Sequence, residues 1–244
     1  MSVSTLYGRG VFSTIAIFDR KPFLWDKHWR RLSIHAAKLG IDIAKYDEAS
    51  VIASLKVEIE NAEINQGRAR ITFADESGSG IWNAPDRSET SLSILVAERR
   101  EVPTNFKLTI SPHHINTTSP LVGVKSCNYL EQLMSLDEAK ARGFHEAIRL
   151  NEREEVVSAC MANVFWLKEG RLFTPSFETG CLAGTTREFV LENLNCEEIS
   201  AGIDEIRQAD AIFLTSAGIG IVEVAEFEGK SFPASGHPIT SLWP

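Results

Sequence analysis

The run Gly10-Val11-Phe12-Ser13-Thr14-Ile15-Ala16-Ile17-Phe18 constrains the fold more than any other stretch. Its β-branched and aromatic residues favour an extended strand, and a strand of that length needs partners. Asp19-Arg20-Lys21-Pro22 turns the chain back, and Phe23-Leu24-Trp25 reads as the return strand. Asp26 then reads as the cap of a helix whose apolar stripe is Trp29, Leu32, Ala36 and Leu39, ending at Gly40. Arg31 sits beside that stripe. The spacing predicts a second helix over 47–62 that buries Val51, Leu55 and Ile59, followed by strands over 68–74 and 91–97.

A charged segment with a proline, Glu98-Arg99-Arg100-Glu101-Val102-Pro103-Thr104, reads as the link between two subdomains, 1–102 and 103–244. The second is richer in short strands, expected over 106–111, 145–150, 162–168 and 211–215, with Glu169-Gly170 as a hairpin turn. Leu130, Leu133, Leu136 and Ala139 recur at helical spacing until Gly143. The adjacent His113 and His114 point to opposite sides of an extended segment and read as structural.

Composition removes several function classes. A net charge of -8 with no block of lysine and arginine argues against nucleic acid as a partner. Cys127, Cys160, Cys181 and Cys196 form no CxxC pair and no His/Cys cluster with zinc spacing, so no metal site and no disulfide framework is expected. No apolar run approaches the roughly 18 residues that a membrane span needs, and no leader is evident, so a cytoplasmic protein is expected.

Three polar constellations could carry chemistry. Lys125 lies in Val124-Lys125-Ser126-Cys127-Asn128-Tyr129, between the turn residues 117–123 and a helix; a lysine there points into a cleft or into water. Gly184-Thr185-Thr186 opens a helix, where free N–H groups, the helix dipole and a hydroxyl can hold a phosphate without net positive charge. Thr215-Ser216-Ala217-Gly218-Ile219-Gly220 ends a buried strand with small residues whose amides could complete an anion nest. Arg68 and Arg70 share one face of their strand with Thr72. That face reads either as outward or as an inward carboxylate site at Arg70. The loop 75–85, with Gly78, Gly80 and Trp82, reads equally as a hairpin connection and as a cover over a substrate.

Taken together these pieces resemble the class IV aminotransferase family, the fold-type IV pyridoxal-phosphate enzymes. The likeness runs in order through Tyr7-Gly8-Arg9-Gly10-Val11-Phe12, His28-Trp29-Arg30-Arg31-Leu32, Lys125 to Leu130, Glu138-Ala139, Ala162 to Trp166, Leu172 to Pro175 and Gly184 to Arg187. The resemblance implies an α+β fold of two subdomains, a homodimer, pyridoxal 5'-phosphate as cofactor and a small amino-acid-like substrate. Lys125 would be the lysine that forms an imine with the cofactor aldehyde. Arg31, with amides of Thr185, Thr186 and Ala217 and with Ser216 close by, would hold the phosphate. Tyr129 would lie near the cofactor's phenolic oxygen, and Tyr7, Phe12, Arg70 and Gly218 would line the substrate.

One position departs from the pattern. The family usually has a glutamate where this chain has Ser158, and that glutamate protonates the pyridine nitrogen. A serine can only hydrogen-bond a largely neutral nitrogen. Weaker carbanion stabilisation penalises transamination more than an elimination whose product aromatises. The expectation therefore leans toward 4-amino-4-deoxychorismate lyase, helped by Asn128-Tyr129-Leu130-Glu131-Gln132 and Trp166, which resemble that branch. Branched-chain or D-amino-acid transamination is the alternative. A homologue that binds the cofactor with impaired catalysis is the third reading.

Overall fold

A computed structural model describes residues 1–78 and 89–244. The chain divides into two compact units, residues 1–100 with 124–128, and residues 101–123 with 129–244. The α+β class expected from the sequence is what the chain adopts, with helices and sheets in both units.

The first unit contains helix α1 (Val3–Tyr7), strands β1 (Gly10–Phe18) and β2 (Lys21–Pro22), helices α2 (Trp25–Lys38) and α3 (Glu48–Asn61), and strands β3 (Gln66–Asp75) and β4 (Thr90–Glu98). The sheet order is β2-β1-β3-β4. β1 and β3 pair antiparallel from Gly10↔Ala74 to Phe18↔Gln66. Alternate residues of β3 are buried, which places Ala69, Ile71 and Phe73 on one face with Val11, Ile15 and Ile17 of β1. Leu32 and Ala36 of α2 and Val51, Leu55 and Ile59 of α3 close the core against that face. Each such aliphatic side chain contributes roughly 1.5–3 kcal/mol by leaving water.

Two sequence expectations fail at the start of α2. Only Lys21–Pro22 forms the return strand, although the Phe23 N–H still donates to the Ala16 carbonyl at 2.8 Å. Leu24 then takes a left-handed conformation (φ 56°) as N-cap, and Asp26 lies inside the first turn instead of capping it. Packing explains this: Trp25 enters the core and stacks on Trp29 at 6.1 Å. The helix stops where the sequence says, with Gly40 left-handed (φ 63°) and the Ile41 N–H reaching back to the Ala36 carbonyl.

The segment Val124–Asn128 groups with this first unit because it runs as an extra extended edge along β1. Val11 and Ser126 form an antiparallel bridge, the Phe12 N–H donates to the Lys125 carbonyl at 3.1 Å, and the Cys127 N–H to the Gly10 carbonyl at 2.8 Å. The loop 75–85, read as connection or cover, falls largely outside the described residues.

The second unit contains β5 (Lys107–Ile110), α4 (Leu130–Ala141), β6 (Glu146–Leu150), β7 (Val156–Ala159), β8 (Asn163–Lys168), β9 (Arg171–Pro175), α5 (Thr185–Asn193), β10 (Cys196–Ile199), α6 (Ile203–Arg207), β11 (Ala211–Ser216), β12 (Gly220–Glu223), β13 (Glu226–Phe227) and β14 (Lys230–Ser231). Two five-stranded sheets form among the described residues, β10-β9-β8-β11-β12 and β14-β13-β5-β6-β7. Their shared core includes Leu108, Ile148, Ala159, Val164, Trp166, Ile212 and Leu214. The β8–β9 hairpin turns at Glu169 and Gly170, both at positive φ, as the sequence suggested.

The stripe expected on α4 is only half buried. Leu136 and Ala139 enter a small cluster with Ala147 and Cys160, whereas Leu130 and Leu133 are exposed. Among the described residues no helix is long and apolar enough to cross a membrane.

Candidate active site

In the first unit the sheet edge and α2 bring cations together. His28, Arg31 and His35 recur at helical spacing and are all buried. Ser13 projects from β1 toward that row. Arg31 Nη2 donates to Ser13 Oγ at 2.8 Å, and Ser13 Oγ lies 2.7 Å from His28 Nδ1. The serine oxygen accepts from the guanidinium, and the Ser13–His28 hydrogen bond runs in the direction that the imidazole tautomer sets. The His28 pKa is held well below its ordinary value by burial, then by Arg31 and Lys125.

His35 does the same for the backbone. Its Nδ1 accepts the Lys125 N–H at 3.0 Å, and burial, with Arg31, Lys38 and Lys125, lowers its pKa to about 4. A histidine on α2 thereby fixes the main chain of the lysine.

Lys125 itself is half-buried, and its amine is the shielded part, 4.4 Å from the centre of the Phe12 ring. Its pKa is held well below the usual lysine value by burial, then by Arg31 and Arg70. Arg70 also lies over that ring, its guanidinium carbon 3.6 Å from the centre, with Nε donating to Thr72 Oγ1 at 3.2 Å. Arg68 and Arg70 are both half-buried. Desolvation beside like charges favours the neutral form of the Lys125 amine, the state in which an amine is a nucleophile or a base.

In the second unit α5 begins at Thr185 after Gly184, which caps it without a side-chain hydrogen bond. Gly184 is obligatory: a Cβ there would lie 2.0 Å from Asn163 Oδ1, and Asn163 is fixed by donating Nδ2 to the Leu182 carbonyl at 2.9 Å. Thr185 and Thr186 are buried in the first turn, and α5 packs on β11. Thr186 Oγ1 and Thr215 Oγ1 are buried hydroxyl oxygens without a hydrogen-bond partner in this structure. An orphaned hydroxyl at a helix N-terminus suits an anion that takes up both the hydroxyl and the amides. Ser216 ends β11, and its Oγ accepts the Ile219 N–H at 3.4 Å in the turn containing Ala217 and Gly218.

The remaining predicted residues are placed as follows. Tyr7 ends α1 and is 41% exposed, while Phe12 is buried, with Lys125 and Arg70 both over its ring. Tyr129 precedes α4. Ser158 is half-buried on β7, directly opposite Arg149 of β6. Sequence reasoning missed Ser13, His35 and Arg149. For His35 a signal existed, since residues 28, 31 or 32, and 35 share one helical face; for Arg149, a charge inside a strand whose five residues are all buried was the signal. Among the described residues no group of three or more His, Cys, Asp or Glu could hold a metal ion.

These residues fit pyridoxal 5'-phosphate on chemical grounds. The first unit offers a shielded lysine amine of lowered pKa with arginines beside it, and the second offers a glycine-capped helix N-terminus with an unsatisfied threonine hydroxyl.

Comparison with known proteins is consistent with that fit. A family model described as amino-transferase class IV matches residues 10–227. The chain is 26% identical over 247 residues to an aminodeoxychorismate lyase of Bacillus subtilis, covering 97% of this chain and 83% of the relative. It is 28% identical over 236 residues to a putative branched-chain-amino-acid aminotransferase of Methanocaldococcus jannaschii, covering 92% and 81%. An aminotransferase from Brucella abortus, solved bound to the cofactor PLP, superposes with a TM-score of 0.88 at 25% identity, covering 99% of this chain and 89% of that one. The fold is therefore that of the fold-type IV pyridoxal-phosphate enzymes, and the chain belongs to the class IV aminotransferase family.

Proposed function

We propose that this protein is a pyridoxal-phosphate enzyme that eliminates pyruvate from 4-amino-4-deoxychorismate to give 4-aminobenzoate. The observation that carries the enzyme reading is the shielded Lys125 amine over the Phe12 ring, its pKa held well below the usual lysine value by burial and by Arg31 and Arg70. The cofactor, when bound, supplies the electron withdrawal that lets a proton leave the substrate carbon next to the nitrogen. Lys125 attaches the cofactor, and once free again its neutral amine takes that proton and returns one. Arg31, braced by Ser13, and the first turn of α5 with the Thr186 hydroxyl bind the phosphate. Arg70 binds a substrate carboxylate, with Phe12 as the wall beneath it. Tyr7 and Gly218 line the substrate, and Tyr129 serves the phenolic oxygen.

The lean toward elimination rests on Ser158, which offers the ring a hydroxyl and no carboxylate. Transamination of a branched-chain or D-amino acid is the second reading, favoured by the 28% identity to the putative branched-chain aminotransferase. Purified protein incubated with 4-amino-4-deoxychorismate separates the two. Formation of 4-aminobenzoate without a keto-acid acceptor supports the lyase; turnover that depends strictly on 2-oxoglutarate or pyruvate refutes it. We also read the protein as a homodimer, to which the exposed Leu130, Leu133 and Met134 of α4 offer an apolar contact. A monomer mass in sedimentation would sink that reading.

A further inference from the structure

Arg149 of β6 stands directly opposite Ser158 of β7 in the antiparallel ladder. Opposed residues share a face of the sheet, with Cβ atoms about 5 Å apart. Arg149 is 1% exposed. Its Nε donates to the His113 carbonyl at 3.3 Å and its Nη2 to the His114 carbonyl at 3.2 Å, neutral acceptors that satisfy the donors without cancelling the charge. It also forms an ion pair with Glu131 of α4 at 3.6 Å, but the Glu131 side chain is 79% exposed, so water screens that carboxylate.

The other charged and titratable groups around this face leave the imbalance in place. Glu146 of β6 turns its carboxylate into the tip of the β7–β8 connection, accepting the N–H groups of Ala147, Cys160 and Met161 at 3.2, 2.9 and 2.9 Å. Burial lifts its pKa to about 7. The Cys160 thiol is pushed up to about 12, chiefly by burial and Glu146, and Arg149 pulls against that shift, so the guanidinium field reaches the end of β7. The His113 and His114 residues are exposed, and the His114 ring pairs with Glu154 at 3.4 Å.

We propose that Arg149 is a positioning residue which, with Ser158, reserves this face of β6 and β7 for an uncharged heteroaromatic nitrogen, so that a bound pyridine ring keeps its nitrogen unprotonated. The proposal rests on the reading above that pyridoxal phosphate binds with its ring nitrogen at Ser158. The serine hydroxyl donates to a nitrogen lone pair, and a proton on that nitrogen would bring a second positive charge beside a buried guanidinium. The ring is then a weaker electron sink, and the substrate must be one whose product is itself strongly stabilised.

The test uses protein freed of any cofactor and reconstituted with pyridoxal phosphate labelled with 15N in the ring. The bound nitrogen is expected to give the 15N signal of an unprotonated pyridine at neutral pH. The N-methylated cofactor, a fixed cation, is expected to bind about tenfold more weakly than pyridoxal phosphate, and Arg149→Met is expected to narrow that gap by about tenfold. Because the methyl group has the same size in both proteins, the change on Arg149→Met reports charge. Ser158→Glu, with Arg149 kept, is expected to move the nitrogen signal to the protonated position, and it decides the matter should Arg149→Met not fold. A protonated nitrogen in the unaltered protein, or a folded Arg149→Met protein with the same gap, overturns the proposal. Failure of the unaltered protein to take up any pyridoxal phosphate overturns the cofactor reading itself, and shows as the absence of any bound signal.

Discussion

The two units carry polar groups suited to anions by different means. The first gathers basic side chains: Arg31, Arg70 and Lys125 lie around Ser13 and Phe12, and the pKa values of Lys125, His28 and His35 are lowered among them. In the second, the glycine-capped first turn of α5 offers backbone dipoles and the Thr186 hydroxyl, while the formal charge there, Arg187, is paired with Glu198 and the Pro175 carbonyl. Crowded cations lower one another's pKa and so prepare a nucleophile, at a cost in stability that grows as protons become available. A dipolar cradle is indifferent to pH and prepares no nucleophile. Reactivity therefore belongs to the first unit, and the pH sensitivity of folding should come with it.

The largest effect that would break this comparison is at Lys125. Lys125→Ala should lower turnover by about a thousandfold or more, because it removes both the attachment point and the proton carrier. Steady-state assay with the accepted substrate checks this, and residual turnover within tenfold of the unaltered protein would mean that another group carries the chemistry. Folding should survive, since the change removes an amine whose burial beside like charges is itself unfavourable.

A smaller effect concerns acid. The folded-state pKa of His35 is about 4 against 6.5 for the free side chain, so between those values the unfolded chain binds a proton that the folded chain does not. The stability due to His35 is complete above about pH 6.5 and is lost as the pH falls toward 4, by about 2–3 kcal/mol at most. His28 acts in the same direction. His35→Asn, whose side-chain oxygen can still accept the Lys125 N–H, should flatten part of that slope in denaturant unfolding followed from pH 7 to 4. An unchanged slope would show that His35 does not titrate in the folded protein as its surroundings dictate.

How much of this was legible in the sequence follows from how local each feature is. β1 was readable to the residue, and β3 and β4 nearly so, because alternation and β-branching are local properties. The entry to α2 was not, since Leu24 adopts a left-handed turn only because Trp25 has a core to enter. Leu130 and Leu133 satisfied a helical period and still ended in solvent, because α4 turns Ser135, Leu136 and Ala139 inward. At the candidate site, Lys125 and the α5 start were singled out from local sequence, and their roles with that of Arg31 came from ordered resemblance. His35 escaped because its partner is a main-chain N–H 90 positions away, and Arg149 because cross-strand opposition to Ser158 is a matter of register.

The smallest expected effect is the most discriminating for the dipolar half. Thr186 is 2% exposed and its Oγ1 has no hydrogen-bond partner in this structure. Thr186→Val keeps the shape and removes the hydroxyl. Burying an unsatisfied hydroxyl is unfavourable, so the ligand-free protein should be as stable as before or more stable, by up to about 1 kcal/mol. A hydrogen bond to a charged oxygen is worth about 1.5–3 kcal/mol, so affinity for pyridoxal phosphate should fall by about tenfold or more, and affinity for inorganic phosphate with it. Thermal melting of the ligand-free protein and titration with both ligands read the two effects separately. Opposite signs mean that the hydroxyl is held in reserve for an anion. A loss of stability with unchanged affinity would mean that Thr186 serves packing alone, and the anion site at α5 would then reduce to its amides.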